Sequence, residues 1–391
     1  MKGGEKMAYI HKRGTKWAYI VNIARDSKGK RKQITKSGFK TKKEAQLAAN
    51  KVENAIANGT HLFESNITFE ELTNEWFEHY ASQVKISSVR AREYAVKHLL
   101  DVWGTVPIKK ITKHMYQTEL DKLNKKFSRN YIDSIHTTAN MIFKYAIRKD
   151  LLNNSPSSSF VMPKKQVTVE EIEQEKIQEK FLELHELKEF LSIAKKHGLS
   201  MDYLMFTTLA YTGLRLGELL ALKWSDLNFT ECTIRISKTY YNPNNKKDEF
   251  QLLTPKTDKS IRTIMLDKDL VNLFKIHRKE QIELKMKNRM LYQDQNFIFA
   301  ESTGCPRVMK KVAIRLQRLM KLMNTDKHIT PHGFRHTHTS LLIEAGAGVK
   351  EIQERLGHSD INTTMNIYAH MTKNIEEKTS QKFSELTKGL L

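Results

Sequence analysis

The first sixty residues read as strands closed off by a helix. Trp17, Tyr19, Val21 and Ile23 alternate with Ala18, Ile20, Asn22 and Ala24, the period of a strand that is largely buried or carries one aromatic face. Asp26-Ser-Lys-Gly29 is a turn signal, and a basic third segment follows from Lys30 to Lys36. Thr41-Lys-Lys-Glu44 has the spacing of a capping box, opening a helix expected to end near Asn58, where Gly59 stops it. The pattern predicts a small three-stranded sheet buttressed by one helix, in a unit spanning residues 1–62.

From Thr68-Phe-Glu-Glu71, another capping box, the period changes. Phe69, Leu72, Trp76, Phe77 and Tyr80 recur at helical spacing. Amphipathic segments follow at 87–103, 112–126 and 128–149, the last built on Ile132, Ile135, Ala139, Ile142, Phe143 and Ala146. No strand signal intervenes, so residues 67–162 are expected to form an all-helical domain, with a loop at Asn153–Ser159. The stretch 163–180 is charged and has no hydrophobic period, as an interdomain linker would. Residues 181–391 are mixed α+β. Helical patterns cover 185–197, 201–211 and 215–223, and strand-like segments at 232–239 and 261–265 are expected to pair around the polar Asn242–Lys247 turn. The remainder reads as mainly helical, ending in a short amphipathic tail from about residue 371 that contains Ile375, Phe383 and Leu386. The fold class expected is mainly α with small β elements.

Charge narrows the class of partner. The chain of 391 residues carries a net charge of +22, which points to a polyanion such as nucleic acid. Residues 1–61 hold 15 Lys and Arg against 4 Asp and Glu, half of the whole surplus. A basic sheet of that size can lie in a DNA groove, with Lys12, Arg13, Lys16, Trp17, Tyr19, Arg25, Lys30, Arg31 and Lys32 as candidate contacts. No apolar run approaches the roughly 18 residues of a bilayer span, and the basic N-terminus lacks the apolar stretch of a secretory signal. Cys232 and Cys305 are the two cysteines, with no CxxC, so neither a disulfide framework nor a cysteine zinc site is expected.

Four segments of the last domain concentrate chemistry. In Thr212-Gly-Leu-Arg215-Leu-Gly-Glu218, an arginine sits among apolar residues with a glutamate at i+3 to hold it. In Thr254-Pro-Lys256-Thr, a lysine lies on a short basic turn between strands, with Lys259 and Arg262 as competitors for its role. In Thr330-Pro-His332-Gly-Phe-Arg335-His336-Thr-His338, a histidine and an arginine share one face of a helix start, a natural cradle for phosphate. His332 and His336 also have zinc-helix spacing, but no carboxylate or cysteine completes such a site. In Leu356-Gly-His358 … Tyr368, Gly357 ends one helix, His358 occupies the turn, and a helix capped by Asn362-Thr-Thr presents Tyr368. Each segment alone fits an ion pair, a surface cation or a core residue.

In this order, Arg215, Lys256, His332-x-x-Arg335, Gly-His358 and Tyr368 resemble the catalytic signature of the tyrosine recombinases. The wording of TGLRLGELLAL, TPKT, HGFRHTHTS and LGHSDINTTMNIYAH is similar to family segments. The three-part layout looks like that of integrases from temperate phages and conjugative transposons, with arm-binding, core-binding and catalytic domains. The resemblance implies that Tyr368 attacks a phosphodiester to give a 3′-phosphotyrosyl bond and a free 5′-hydroxyl. Arg215, Arg335 and His358 would stabilise the phosphorane, His332 would assist proton removal, Lys256 would protonate the leaving oxygen, and Glu218 would support Arg215. It implies double-stranded DNA with core and arm sites as substrate, passage through a Holliday junction, and integration and excision of a mobile element. A homotetramer on DNA and DNA-bending or excision factors are implied partners, with the tail docking on a neighbouring subunit or on its own domain. No metal or other cofactor is called for, no membrane is expected, and the location would be the bacterial cytoplasm at the nucleoid. A type IB topoisomerase-like relaxer should not need the basic N-terminal unit. A non-catalytic regulator would be marked by loss of Tyr368 or of either arginine, and a hydrolytic nuclease would want a carboxylate cluster for metal.

Overall fold

The computed structural model describes residues 8–25, 31–57, 67–162, 181–255, 260–357 and Thr387. They fall into two compact units that part between Gln166 and Val167.

The chain opens with β1 (Tyr9–Arg13), β2 (Lys16–Arg25) and β3 (Arg31–Phe39), an antiparallel sheet in that order, and α1 (Lys42–Ala57). The Thr41 cap is made: its hydroxyl accepts from the Glu44 amide at 3.2 Å, and Glu44 Oε2 accepts from the Lys40 amide at 3.0 Å. Alternation then assigns the faces. Tyr19, Val21, Ile34 and Phe39 pack with Ala49 and Val52 of α1. Register pairs Tyr9 with Ile20, His11 with Ala18 and Asn22 with Gln33, which places these on the opposite face. One expected DNA contact is thereby corrected. Tyr19 is 3% exposed and packs its ring 5.8 Å from Phe39, so it belongs to the core. Trp17 shares that side and is half-buried, with Lys42 Nζ 6.0 Å from its ring. Lys12, Arg13 and Lys16 are exposed as expected. Arg25, Arg31 and Lys32 lie in strands whose outer ends are described by backbone alone, and Lys30 lies outside the described residues.

The helical part comprises α2 (Phe69–Ala81), α3 (Ile86–Trp103), α4 (Lys113–Asn124) and α5 (Arg129–Arg148). Its capping box at Thr68 and Glu71 is formed. Phe69, Trp103, Tyr116 and Phe143 meet as an aromatic centre with ring separations of 5.6–6.0 Å, each burial contributing about 1.5–3 kcal/mol. The predicted 153–159 loop is a turn whose Ser155 and Ser157 hydroxyls bond each other at 2.7 Å, and Ser157 donates to Asn140 Oδ1. The expected linker, 163–180, lies outside the described residues.

The second unit runs α6 (Leu184–His197), α7 (Asp202–Thr212), α8 (Leu216–Leu220), β4 (Leu227–Asn228), β5 (Thr233–Ile236), β6 (Thr239–Tyr241), β7 (Gln251–Leu253), β8 (Arg262–Met265), α9 (Lys268–Lys287), α10 (Met309–Leu322), α11 (Gly333–Glu344) and α12 (Val349–Leu356). Helix α7 is apolar nearly all round and is buried between α6, α9 and α11. Phe190 of α6, Phe206 of α7 and Phe334 of α11 form a ring trio at 5.3–5.6 Å, all 0% exposed. That trio fixes the start of α11. The 232–239 and 261–265 segments pair as expected, as β5 with β8 in the sheet β4-β5-β8, but the Asn242–Lys247 turn closes an additional β6–β7 hairpin between them. Residues 288–308 are largely irregular where helix was expected, because Phe297, Ile298 and Phe299 are buried in an extended run bridged to Lys223. Among the described residues no helix is long and apolar enough to cross a membrane.

Candidate active site

Helix α7 must stop abruptly for Arg215 to reach its place. Gly213 caps it in the left-handed region (φ +64°), and a Cβ there would lie 2.5 Å from Leu356 Cδ2 and 2.8 Å from His338 Cδ2. Glycine is required on both counts. Two residues on, Arg215 caps α8, its own amide and its Nη1 donating to Glu218 at 3.1 and 2.9 Å. The expected support by Glu218 is present in this geometry, but Glu218 has a second partner. Arg262, 8% exposed, donates from Nη2 to Glu218 Oε2 at 2.8 Å and from Nε to the Arg355 carbonyl at 2.8 Å. Burial raises the carboxyl's pKa, yet the bonds and charges of Arg262 and Arg215 together outweigh it and hold Glu218 below the usual range. Arg262 therefore fills a structural post, in contrast to its expected standing as a competitor of Lys256.

His332 and Arg335 come from the start of α11. Thr330 accepts from the Gly333 amide at 2.8 Å and His332 from the Arg335 amide at 3.0 Å, forming the turn that starts α11. Arg335 is 2% exposed; Nη1 donates to the Gly213 carbonyl at 2.9 Å and Nη2 to the Leu356 carbonyl at 2.8 Å. One guanidinium thus ties the turn before Arg215 to the end of α12. Burial, then the nearby Arg215 charge, push its pKa down to about 9, which leaves it cationic at neutral pH. Burial also lowers His332, reinforced by His336, Arg335 and Arg215. The shift favours the neutral imidazole, the form that can accept a proton. The His336 ring stands edge-on at 4.9 Å from it.

A third histidine was not singled out by sequence. His338 is 6% exposed, its Nδ1 bonded to the Ala210 carbonyl at 2.8 Å and its Nε2 accepting from Arg355 Nε at 3.1 Å. Burial first, and the Arg355 charge second, depress its pKa to about 4. Folded His338 takes up protons less readily than unfolded His338. The stability it contributes is therefore complete above pH ~6.5 and drains away as pH falls towards ~4, amounting to about 3 kcal/mol at most. In His338→Gln, which keeps a donor and an acceptor but does not titrate, the melting temperature should fall less between pH ~7.5 and ~4.5 than in the wild type. Equal falls in thermal melts of the two proteins would assign the pH sensitivity elsewhere.

Arg215, Glu218, His332 and Arg335 are brought together, with His332 exposed, the Arg215 side chain 42% exposed, and Glu218 and Arg335 buried. Gly357 ends α12 in the left-handed region (φ +66°) as expected. Lys256, in the connection from β7 to β8, and His358 and Tyr368, beyond α12, lie outside the described residues, as does the tail from 371 apart from Thr387.

The chain resembles known proteins over most of its length. Residues 180–374 match the phage integrase family, residues 9–56 an arm DNA-binding domain, and residues 68–124 the phage integrase N-terminal SAM-like domain, together more than three quarters of the chain. The chain is 28% identical over 354 residues to the integrase of a Staphylococcus phage, covering 86% of this chain and 98% of that protein. It is 29% identical over 304 residues to the ICEBs1 integrase of Bacillus subtilis, covering 74% and 75%. Its fold is similar to that of the Tn1549 transposon integrase solved in complex with a circular intermediate DNA, with a TM-score of 0.63, 23% identity, and coverage of 80% and 99%. The chain belongs to the phage integrase family and is a tyrosine-type site-specific recombinase.

Proposed function

We propose that this recombinase integrates and excises a mobile element by cutting and rejoining DNA through a phosphotyrosine at Tyr368. The observation that carries the reading is that Arg335 clamps the Gly213 carbonyl just before Arg215, itself held by Glu218, with His332 three residues before Arg335 at the same helix start. A phosphodiester is anionic, and its pentacoordinate state gathers more charge on the non-bridging oxygens. Two guanidiniums and a third donor, His358, suit that charge, and stabilisation of this kind is commonly the largest catalytic contribution. The Tyr368 oxygen bonds to phosphorus as the bond to the 5′-oxygen breaks. The phenolic proton leaves with assistance from His332, and Lys256 delivers one to the departing 5′-oxygen, so the 3′-phosphotyrosyl end and a 5′-hydroxyl result. Attack by a partner strand's 5′-hydroxyl reverses the step and yields a Holliday junction, with no external energy source, since the ester bond is conserved.

Around this centre, residues 1–62 act as the arm-type DNA-binding domain, 67–162 as the core-binding domain, 163–180 as their linker to the catalytic residues 181–391. Similar proteins solved with DNA support double-stranded DNA as the partner. The assembly is a homotetramer in the bacterial cytoplasm, its direction set by DNA-bending and excision factors. The test uses full-length protein and a nicked suicide duplex carrying the element's junction, mixed with chelator present. A covalent adduct should appear on denaturing gels, and tandem mass spectrometry of its tryptic digest should place the nucleotide on Tyr368. Bound DNA with no adduct on any junction would favour a non-catalytic regulator, and an adduct on another residue would displace the nucleophile.

A further inference from the structure

On the outer face of the N-terminal sheet, Asn22 of β2 and Gln33 of β3 are register partners, both exposed, and Gln33 Nε2 donates to Asn22 Oδ1 at 2.8 Å. We propose that this amide pair reads an adenine in the arm site and so helps set which DNA the N-terminal unit selects. The inference rests on the proposed reading of that unit as DNA-binding. Their strand neighbours Val21 and Ile34 pack towards α1, so the amides project the other way. The bond between them uses the Asn22 carbonyl and one Gln33 N–H. It leaves the Asn22 Nδ2 donors and the Gln33 Oε1 acceptor for a ligand.

That remainder has a matching base edge. In the major groove adenine presents an acceptor, N7, beside a donor, the N6 amino group. Asn22 Nδ2 can donate to N7 while Gln33 Oε1 accepts from N6. Guanine offers acceptors at both N7 and O6, so its edge would set O6 against Gln33 Oε1. Because each amide holds the other, less side-chain freedom remains to be lost on binding. The sheet has the dimensions for such a contact. Three strands spaced ~4.8 Å apart span ~10 Å, inside a major groove ~12 Å wide. The adjoining row on the same face pairs Ile20 with Thr35, methyl-bearing side chains of the kind that meet a thymine methyl. At the β1–β2 turn Arg13 and Lys16 are paired and exposed, placed to hold phosphates without reading sequence.

Full-length wild type, Asn22→Ala, Gln33→Ala and the double variant Arg13→Ala/Lys16→Ala are used to select from a random duplex library. Bound duplexes are sequenced, and affinities follow by fluorescence anisotropy. The wild type should enrich two motifs, one of which contains an adenine whose preference both amide variants lose. Replacing that adenine by 7-deazaadenine should weaken wild-type binding roughly 10-fold and leave Asn22→Ala, which lacks the donor to N7, unaffected. Retention of the adenine preference in both variants, or no penalty from 7-deazaadenine in the wild type, would overturn the proposal while leaving the arm reading intact. If Arg13→Ala/Lys16→Ala selected and bound the same motifs as the wild type at every salt concentration, the DNA-binding reading of the sheet would itself fall.

Discussion

Tyr368→Phe should bind its DNA as the wild type does and cut none of it. The substitution removes one oxygen, the atom proposed to form the ester with phosphorus, and keeps the aromatic ring. Arg215, His332 and Arg335 are untouched, so the cationic cradle still receives the phosphodiester. Removing the nucleophile of a residue set that works as a unit lowers the rate by on the order of 10⁴-fold or more. Water held in the same cradle offers no equivalent step, because its product would be a hydrolysed strand with no stored ester. Single-turnover cleavage of a nicked suicide duplex measures the rate, and anisotropy at matched salt measures binding. Cleavage surviving in Tyr368→Phe at more than about a hundredth of the wild-type rate would remove Tyr368 from the mechanism.

Much of the architecture is legible in local sequence, and the parts that are not share a physical cause. Capping boxes at Thr41 and Thr68 are complete within four residues, so they are read directly and found formed. Arg215 and Glu218 are likewise three apart and meet as expected. Arg262 is 44 residues from Glu218 in the chain. Nothing in the local sequence around Lys256, Lys259 and Arg262 says that Arg262 is the one buried against Glu218. Strands β6 and β7 hold three residues each, too few for a period to announce the extra hairpin between β5 and β8. In the N-terminal sheet, alternation separates Tyr19 and Val21 from Ala18 and Ile20, but both sets are apolar. Which face α1 covers is decided by tertiary packing. His338 differs again: it is two residues from His336, so on a helix it points away from the His332–His336 pair and into the core.

The same reasoning gives Arg335→Lys a larger effect than its conserved charge suggests. The guanidinium spans two buried carbonyls, Gly213 from one segment and Leu356 from another, through separate nitrogens. A lysine ammonium is a point donor on a flexible stem and lacks the fixed fork that meets both at once. A buried carbonyl left without its donor costs about 1–3 kcal/mol, visible as a lower melting temperature. The catalytic loss should exceed what that destabilisation explains. With the fork gone, the turn carrying Arg215 and the end of α12, from which the chain continues to His358, are no longer held in common register. Loss of one preorganised donor to the developing charge typically costs about 10²–10³-fold, and here the alignment of a second arginine is lost with it. Single-turnover formation of the covalent adduct should therefore fall at least about 10³-fold in Arg335→Lys at a temperature where the variant remains folded. A variant that melted lower yet formed adduct within about 10-fold of the wild-type rate would reduce Arg335 to a structural strut and leave Arg215 as the phosphate's main cation.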